Sequence, residues 1–256
     1  MAVKIAIANK KGGIGKTTTA LSLTYALQKM GKRVLLIDTD PQKSASGVYG
    51  AAIGDEATLA DIMYGGMDAK EVILKRNLGD IIVSDEQLET AEQTIPSDAD
   101  RFYHLSDSCQ SLENEYDYII IDCPPGNGVM LGNVLSYVNH VIIPITCDKF
   151  GIQGLAEFKD VMDSYKKRIN PSLDVLGVLM VMYKGRQNLT KELEEGVIPK
   201  YVDVLQSKLF NTTIRTSVKI QESQALGLDL YDYAPLSTAA IDYAEFAKEV
   251  VKMIEG

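Results

Sequence analysis

The segment Val-Lys-Ile-Ala-Ile-Ala at Val3–Ala8, followed by Asn-Lys-Lys-Gly-Gly-Ile-Gly-Lys-Thr-Thr at Asn9–Thr18, contains the strongest structural signal in the chain. The first part is a short apolar run typical of a buried strand, and the second is a glycine-rich turn. Apolar residues at helical spacing then predict a helix over Thr17–Met30, which ends before Gly31. A strand, a glycine-rich loop and a helix in this order predict a loop whose main-chain N–H groups surround a phosphate.

Further apolar runs predict more strands along the chain, at Arg33–Asp38, Asp80–Ser84, Tyr118–Asp122, His140–Thr146 and Val175–Met182. Several of these runs are continuous rather than alternating, which is typical of strands buried on both faces of a parallel sheet. Helices are predicted over Gly151–Ile169 and Thr238–Ile254. The alternation predicts an α/β fold with a doubly wound, mostly parallel twisted sheet flanked by helices. The glycine-rich loop after the first strand indicates that the fold is of the P-loop NTPase type. Because no linker or repeat interrupts the pattern, we expect a single domain over residues 1–256.

The glycine-rich loop deviates from the usual phosphate-loop pattern G-x-x-x-x-G-K-[S/T], because Lys10 takes the place of the first glycine. The alternative is a plain glycine-rich turn before a helix, which the register of the remaining residues disfavours. We expect Lys16 to contact the β and γ phosphates of a nucleotide and the Thr17 hydroxyl to bind Mg²⁺. The residues predicted to bind nucleotide here are Lys11, Gly12, Gly13, Ile14, Gly15, Lys16, Thr17 and Thr18.

The second lysine of the loop, Lys11, needs a separate interpretation. It cannot easily fold back onto phosphates that Lys16 already serves, so it could instead reach a nucleotide held by a second subunit. The alternative is an ordinary exposed lysine.

Acidic residues lie at or just beyond the ends of two predicted strands. Ligands of open α/β sheets bind beyond the carboxyl ends of the strands, which places Asp38 and Asp40 near the phosphates. One of the two can hold a metal-bound water and the other can orient the attacking water. Asp122 ends the strand predicted at Tyr118–Asp122, where P-loop ATPases place the carboxylate of the Mg²⁺ shell. Gly126, just after it, gives a flexible point for a switch loop. The alternative is that each aspartate only caps a strand or turn.

Composition excludes several classes of protein. The chain is 46% hydrophobic and 24% charged. It contains no window of 18 uncharged apolar residues, which is about the length needed to span a membrane. The first strand is too short for a signal peptide. The three cysteines lack C-x-x-C spacing, which indicates a reducing compartment and disfavours a zinc site or an iron–sulfur reductase. We therefore expect a cytoplasmic protein.

The net charge of −9 is distributed unevenly. Residues 55–100 contain twelve acids and three bases, which equals the whole imbalance, whereas residues 1–37 contain seven bases and no acid. Residues 184–219 have a net charge of +3, so a locally basic face on an acidic protein is compatible with the sequence.

Taken together, these motifs resemble the ParA partition ATPases, within the deviant Walker A group that also contains MinD. The group signature K-G-G-x-G-K-T-T occurs at Lys11–Thr18. The runs D-T-D-P-Q at Asp38–Gln42, I-I-I-D-C-P-P-G at Ile119–Gly126 and I-P-I-T-C-D-K-F-G-I-Q-G-L at Ile143–Leu155 are similar to the ParA branch. The resemblance extends nearly end to end and includes the stretch Tyr233–Glu249.

The resemblance implies an ATPase that uses ATP and Mg²⁺ and forms a homodimer with two nucleotides sandwiched between its subunits. It implies that Lys11 crosses to the partner's ATP and that Asp40 positions the hydrolytic water, which leaves Asp38 and Asp122 for the metal site with Thr17. It further implies slow intrinsic turnover, non-specific DNA binding by the ATP dimer, and a ParB-type partner that stimulates hydrolysis. The protein would then be nucleoid-associated.

Late residues of the chain are assigned by the same resemblance. Arg186 and Lys219 take the places of arginines that bind DNA in related proteins, and Arg215 substitutes for a displaced arginine of the family's I-P-R pattern. Pro235 is expected to line the adenine pocket. Because the sequence begins at its first strand, we expect no N-terminal helix-turn-helix and no operator binding.

Two alternative functions remain open from the sequence. One is a MinD-like positioning ATPase that acts on a membrane or a protein assembly, although the acidic tail Tyr243–Gly256 favours a docked helix over a lipid-binding one. The other is a nucleotide-sensing scaffold that binds ATP and scarcely hydrolyses it.

Overall fold

The computed structural model describes residues 1–50, 56–94, 100–184 and 196–256. Within these ranges seven strands form one sheet, and they are β1 Val3–Ile7, β2 Val34–Asp38, β3 Leu74–Arg76, β4 Gly79–Ile82, β5 Tyr118–Asp122, β6 His140–Thr146 and β7 Asp174–Val181. Their order across the sheet is β3-β4-β2-β5-β1-β6-β7, and only the β3–β4 pair is antiparallel. The predicted doubly wound, mostly parallel sheet is confirmed.

Helices connect the strands in the described ranges. They are α1 Lys16–Lys29, α2 Ser44–Val48, α3 Leu59–Met63, α4 Ala69–Val72, α5 Gln87–Thr94, α6 His104–Cys109, α7 Val129–Tyr137, α8 Lys149–Arg168, α9 Ile198–Val204, α10 Val218–Ala225, α11 Leu230–Tyr233 and α12 Thr238–Glu255, with a 3₁₀ turn at Gln110–Leu112. The three helices predicted from the sequence correspond to α1, α8 and α12, with ends that differ by one or two residues.

The central strands are buried on both faces, as their continuous apolar runs predict. Ile119 and Ile121 of β5 pack into one hydrophobic core, and Ile120 between them packs into the other. The first core contains α7 and α8, whereas the second contains α1 and α12. Because successive side chains of a strand point to opposite faces, a three-isoleucine run supplies both layers of the molecule.

Helix α12 is docked along α1 and the sheet. The Tyr243 hydroxyl lies 3.1 Å from Thr19 Oγ1, and both residues are buried. Near the end of the helix, Glu255 accepts hydrogen bonds from the Tyr118 hydroxyl at 2.6 Å and from Lys32 Nζ at 2.7 Å. This agrees with the expectation of a docked tail. Among the described helices, none has the length and apolarity needed to traverse a lipid bilayer.

Candidate functional site

The site lies where three central strands end. Ile7 of β1 and Asp38 of β2 are both in register with Asp122 of β5. The loops after β1, β2 and β5 therefore leave the same edge of the sheet side by side, as expected for a ligand site of an open α/β sheet. The phosphate loop, the Asp38–Asp40 segment and the Asp122–Gly126 segment are brought together in this way.

The phosphate loop depends on two glycines in the left-handed region. Gly13 has φ of 71° and Gly15, directly before α1, has φ of 77°. Residues with a Cβ rarely adopt this conformation, so the turn that presents the N–H groups of α1 requires glycine at both positions. Asn9 braces the loop, because its side chain donates to the Pro144 carbonyl at 3.0 Å and accepts from Lys11 N at 3.2 Å. No pattern in the sequence points to this role of Asn9.

Lys16 curls back over the loop. Its Nζ donates to the Lys11 carbonyl at 2.9 Å, and the residue is only 6% exposed. Burial lowers the pKa of Lys16, whereas the carboxylates of Asp122 and Asp40 act in the opposite direction. A cation so poorly hydrated interacts strongly with an incoming phosphate, which agrees with the role predicted for this lysine.

The side chain of Lys11 follows a different course. Its Nζ lies 5.4 Å from the ring centre of Phe150, at the start of α8. A cavity of about 400 Å³ lies over the phosphate loop, and Lys11 is not among the residues that line it. The side chains of the two lysines thus point in different directions, and of the two it is Lys16 that faces the phosphate cavity.

Asp38 is completely buried and is held by three hydrogen bonds. Its carboxylate accepts from Ser46 N at 2.8 Å, from Ser46 Oγ at 2.7 Å and from Asp40 N at 3.0 Å. Burial raises the pKa of Asp38 to about 6, while the bonds from Ser46 and Asp40 act in the opposite direction. This carboxylate fixes the turn that presents Asp40. The contribution of Ser46 could not be seen in the sequence.

Asp122 has a different environment from Asp38. It is completely buried, and within the described residues neither carboxylate oxygen has a hydrogen-bond partner at normal distance. Burial raises its pKa well above the ordinary value, the charge of Asp38 adds to the rise, and the Thr17 hydroxyl and Lys16 oppose it. A buried acid without a partner commonly marks an ion site.

The chemistry of these oxygen donors fits Mg²⁺. The described residues contain no cluster of three or more His, Cys, Asp or Glu that could hold a metal by themselves. Mg²⁺ is typically bound by one or two protein ligands together with phosphate oxygens and water. Thr17 and Asp122, with Asp38 in the adjacent register position, match that donor set once a nucleotide supplies phosphates.

Asp40 and Gly126 complete the rim of the site. Asp40 lines the phosphate cavity and accepts a hydrogen bond from Gln42 N at 3.0 Å. Gly126 has φ of 93°, and its N–H donates to the Lys10 carbonyl at 2.9 Å. The segment after β5 is therefore bonded directly to the phosphate loop, so movement of one loop affects the other.

A second cavity of about 280 Å³ adjoins the first. Its walls are mainly apolar and include Val181, Ile214 and Ile220. Pro235, which we expected to line an adenine pocket, is exposed and lines neither cavity. Apart from Gly15, Thr18 and Tyr243, the residues that line the second cavity come from the end of β7 and from residues 214–224, a part of the chain that no sequence pattern connects with the phosphate loop.

The predicted DNA contacts have intramolecular partners where they are described. Arg215 donates three hydrogen bonds to Asp242, from its main-chain N at 2.9 Å, from Nε at 2.9 Å and from an Nη at 2.6 Å. Lys219 donates to Glu222 at 2.7 Å and lies over the Tyr233 ring. Arg186 lies outside the described residues.

Comparison with protein families identifies a known type of domain and several similar proteins. A family model described as an AAA domain matches residues 2–175. The sporulation initiation inhibitor protein Soj of Bacillus subtilis is 35% identical over 249 residues, which cover 96% of this chain and 97% of Soj. The chromosome partitioning protein ParA of Caulobacter vibrioides is 32% identical over 254 residues, which cover 96% of this chain and 93% of ParA.

Solved structures agree with this assignment. The cobyrinic acid a,c-diamide synthase from Mycobacterium smegmatis has a TM-score of 0.84 at 27% identity, covering 100% of this chain and 96% of that chain. That protein has also been solved with ADP and magnesium. The cell division ATPase MinD of Pyrococcus furiosus has a TM-score of 0.79 at 25% identity, covering 99% of this chain and 100% of MinD. The deviant phosphate loop, the sheet order and these relatives agree, and the chain belongs to the ParA/MinD family of P-loop ATPases.

Proposed function

We propose that this protein is a ParA-type partition ATPase that hydrolyses ATP to ADP and phosphate and forms a dimer closed by ATP. The observation that supports the proposal most directly is the direction of Lys11. A cation in the phosphate loop that faces away from its own cavity is available to a nucleotide bound by a second copy of the chain. The identity to Soj and ParA over nearly the whole chain supports the same function.

The residues of the site divide the chemistry between them. Main-chain N–H groups from Lys11 to Thr18 and the Lys16 ammonium bind the phosphates and stabilise the charge that develops during transfer. Thr17 and Asp122, with Asp38 beside them, hold Mg²⁺, which neutralises phosphate charge when it is bound. Asp40 accepts a hydrogen bond from the attacking water, whose oxygen bonds to the γ phosphorus as the bond to the β-phosphate oxygen breaks. ADP and inorganic phosphate are the products.

Hydrolysis by one subunit alone is expected to be slow. The cationic group supplied by Lys11 of a second copy neutralises the γ-phosphate only in the dimer, and cations supplied in trans to such sites raise the rate by about 10³–10⁵-fold. A ParB-type partner that stabilises the closed dimer accelerates the reaction and returns the protein to its monomeric state. Turnover then depends on where that partner is found.

The ATP dimer is proposed to bind DNA without sequence preference and so to lie on the nucleoid in the cytoplasm. The net charge of +3 over residues 184–219 supports a basic face formed by Arg186, Arg215 and Lys219. Phosphate contacts of this kind give binding that weakens steeply with salt. The names of the relatives, chromosome partitioning protein and Soj, support this target over others.

Light scattering after size exclusion tests the proposal. Asp40→Ala with ATP is expected to elute as a dimer, and the same variant with ADP as a monomer. Addition of an arbitrary 60-base-pair duplex is expected to shift the ATP form alone. Lys11→Ala is the matched control, because it keeps the site in cis and removes the contact in trans. Equal elution with ATP and ADP would contradict the proposal.

A MinD-like membrane function is the second candidate, since MinD of P. furiosus has the same fold. The docking of α12 on α1 argues against it, because the apolar face of this helix is already covered by the protein. Sedimentation with anionic phospholipid vesicles in ATP separates the two functions. We expect the protein to stay in the supernatant.

A further inference from the structure

The two cavities of the site meet at four residues. Gly15, Thr18, Met182 and Gln224 line both the cavity over the phosphate loop and the apolar cavity. The first contains the Lys16 cation, whereas the second has mostly apolar walls. A nucleotide has a charged end and a flat, largely apolar end, so its phosphates fit the first cavity and its base fits the second. This step rests on the proposed function.

The sugar of a nucleotide bound in this way crosses the junction. Gly15 has no side chain and Met182 is apolar, so Thr18 and Gln224 provide the polar side chains at the crossing. These two are hydrogen-bonded to each other, with 3.3 Å between Gln224 Nε2 and Thr18 Oγ1. The bond joins α10 to the helix that follows the phosphate loop.

We propose that Gln224 recognises the ribose of the bound nucleotide through its side-chain amide. An amide carries both a donor and an acceptor, and a ribose hydroxyl can serve as either partner. When the hydroxyl is missing, a partly buried polar group loses its partner, which weakens binding more than the loss of an apolar contact of similar size. Gln224 thus distinguishes ribonucleotides from deoxyribonucleotides.

The position of Gln224 is fixed by its helix. The helix α10 begins at Val218 and is capped by Ser217, whose side chain accepts from Lys219 N at 3.3 Å. Ser223, next to Gln224, is only 2% exposed. Gln224 itself is half-buried. Gln221 lies one turn earlier on the same helix and lines the apolar cavity but not the phosphate cavity, so it is a matched control.

Calorimetric titration with magnesium and ADP, 2′-deoxy-ADP or 3′-deoxy-ADP tests the proposal. These diphosphates avoid both turnover and ATP-dependent dimerisation. For the unaltered protein we expect the loss of one hydroxyl to weaken binding by about three- to tenfold, the range of a single hydrogen bond. Gln224→Ala and the similarly sized Gln224→Met are expected to weaken ADP binding by the same factor and to leave the sensitive deoxynucleotide unaffected. Gln221→Ala should keep the preference for ADP.

Two results would overturn the assignment of Gln224. One is that both Gln224 variants retain the preference for ADP over each deoxynucleotide. The other is that they weaken all three ligands equally, which indicates a contact with phosphate or a structural effect. If the unaltered protein fails to bind ADP with magnesium, the proposed function fails instead, so the two failures are distinguishable. Thermal melts of each variant show whether it is folded.

Discussion

Lys11 and Lys16 lie in the same loop, and the structure gives them separate tasks. Lys16 is buried and faces the phosphate cavity, whereas Lys11 lies over Phe150 and outside that cavity. Lys16→Ala removes a charge-assisted contact to phosphate, so we expect ADP affinity to fall by about tenfold to a hundredfold. Lys11→Ala should keep ADP affinity within about twofold and lose ATP-dependent dimerisation and hydrolysis. Calorimetry and a phosphate-release assay measure the two effects, and equal losses of ADP affinity in both variants would contradict the assignment.

A second prediction concerns the buried charge of Asp122. Burial and the neighbouring Asp38 disfavour its ionised form, and Asp122→Asn removes that charge at nearly constant size. We expect the Tm of the nucleotide-free protein to rise by about 2–8 °C, equivalent to roughly 1–2 kcal/mol. The additional stabilisation that magnesium gives in the presence of ATP should disappear.

The matched control for this variant is Asp117→Asn, at the other end of the same strand. Asp117 is half-buried and accepts three hydrogen bonds from Arg33, so removal of its charge is expected to lower stability by about 1 kcal/mol, opposite in sign to the effect at Asp122. Differential scanning calorimetry with and without ATP and magnesium measures both variants. A lower Tm for Asp122→Asn, or a retained magnesium effect, would show that Asp122 is a structural residue.

At the residue scale, the sequence predicts those functional groups whose spacing is fixed by local geometry. Asp38 and Asp122 end a strand, and the phosphate loop and Asp40 come just after one, so position along the chain determines their position in space. Asn9, Ser46 and Gln224 could not be predicted in this way. Ser46 meets Asp38 only after the chain has turned, and Gln224 is 206 residues away from its partner Thr18.

At the scale of elements, the buried strands and the edge strand β7 were predictable, whereas the edge strand β3 was not. Long apolar runs specify β2, β5 and β6, because a strand buried on both faces has no polar position. The edge strand β3 is Leu-Lys-Arg, three residues with two charges, and no periodicity distinguishes it from a loop. Short, charged edge strands are one way in which proteins avoid pairing with other chains. Helix α10 was also missed, because its apolar residues are few.

The other edge of the sheet supplies a prediction about packing. Gly177 in β7 faces Phe210, and an added Cβ would overlap the aromatic ring. Phe210 is 2% exposed and packs edge-on against Phe246 of α12, with 4.9 Å between ring centres, so it has little room to move. We expect Gly177→Ala to destabilise the fold by about 1–3 kcal/mol.

Gly47→Ala provides the control for Gly177→Ala. Gly47 is exposed on helix α2, where an added Cβ meets nothing within 4 Å. The substitution is expected to be neutral or to stabilise by up to about 1 kcal/mol. Urea unfolding followed by circular dichroism measures both, and equal stability of the two variants would show that β7 and Phe210 are not tightly packed.

At the scale of the whole molecule, the distribution of charge determines what the protein can bind. The acidic segment at residues 55–100 accounts for the net charge, and the basic residues expected to contact DNA come from a separate part of the chain. Arg215 is held by Asp242 through three hydrogen bonds, so its release for a phosphate would break a well-formed contact. Lys219 donates one hydrogen bond to Glu222 and lies over the Tyr233 ring, and with fewer hydrogen bonds to break it is the easier cation to transfer to DNA.

This difference leads to a prediction about DNA binding in ATP. A cation that contacts one phosphate contributes about 0.9 to the slope of log affinity against log salt. Lys219→Ala is therefore expected to reduce the slope by about one and to weaken binding uniformly across sequences. Lys248→Ala is the control, because Lys248 forms a pair with Glu245 that has the same 2.7 Å distance and the same three-residue spacing as Lys219 and Glu222. Fluorescence anisotropy with an arbitrary duplex at several salt concentrations measures the slopes. Equal slopes for the two variants would place the DNA-binding face elsewhere.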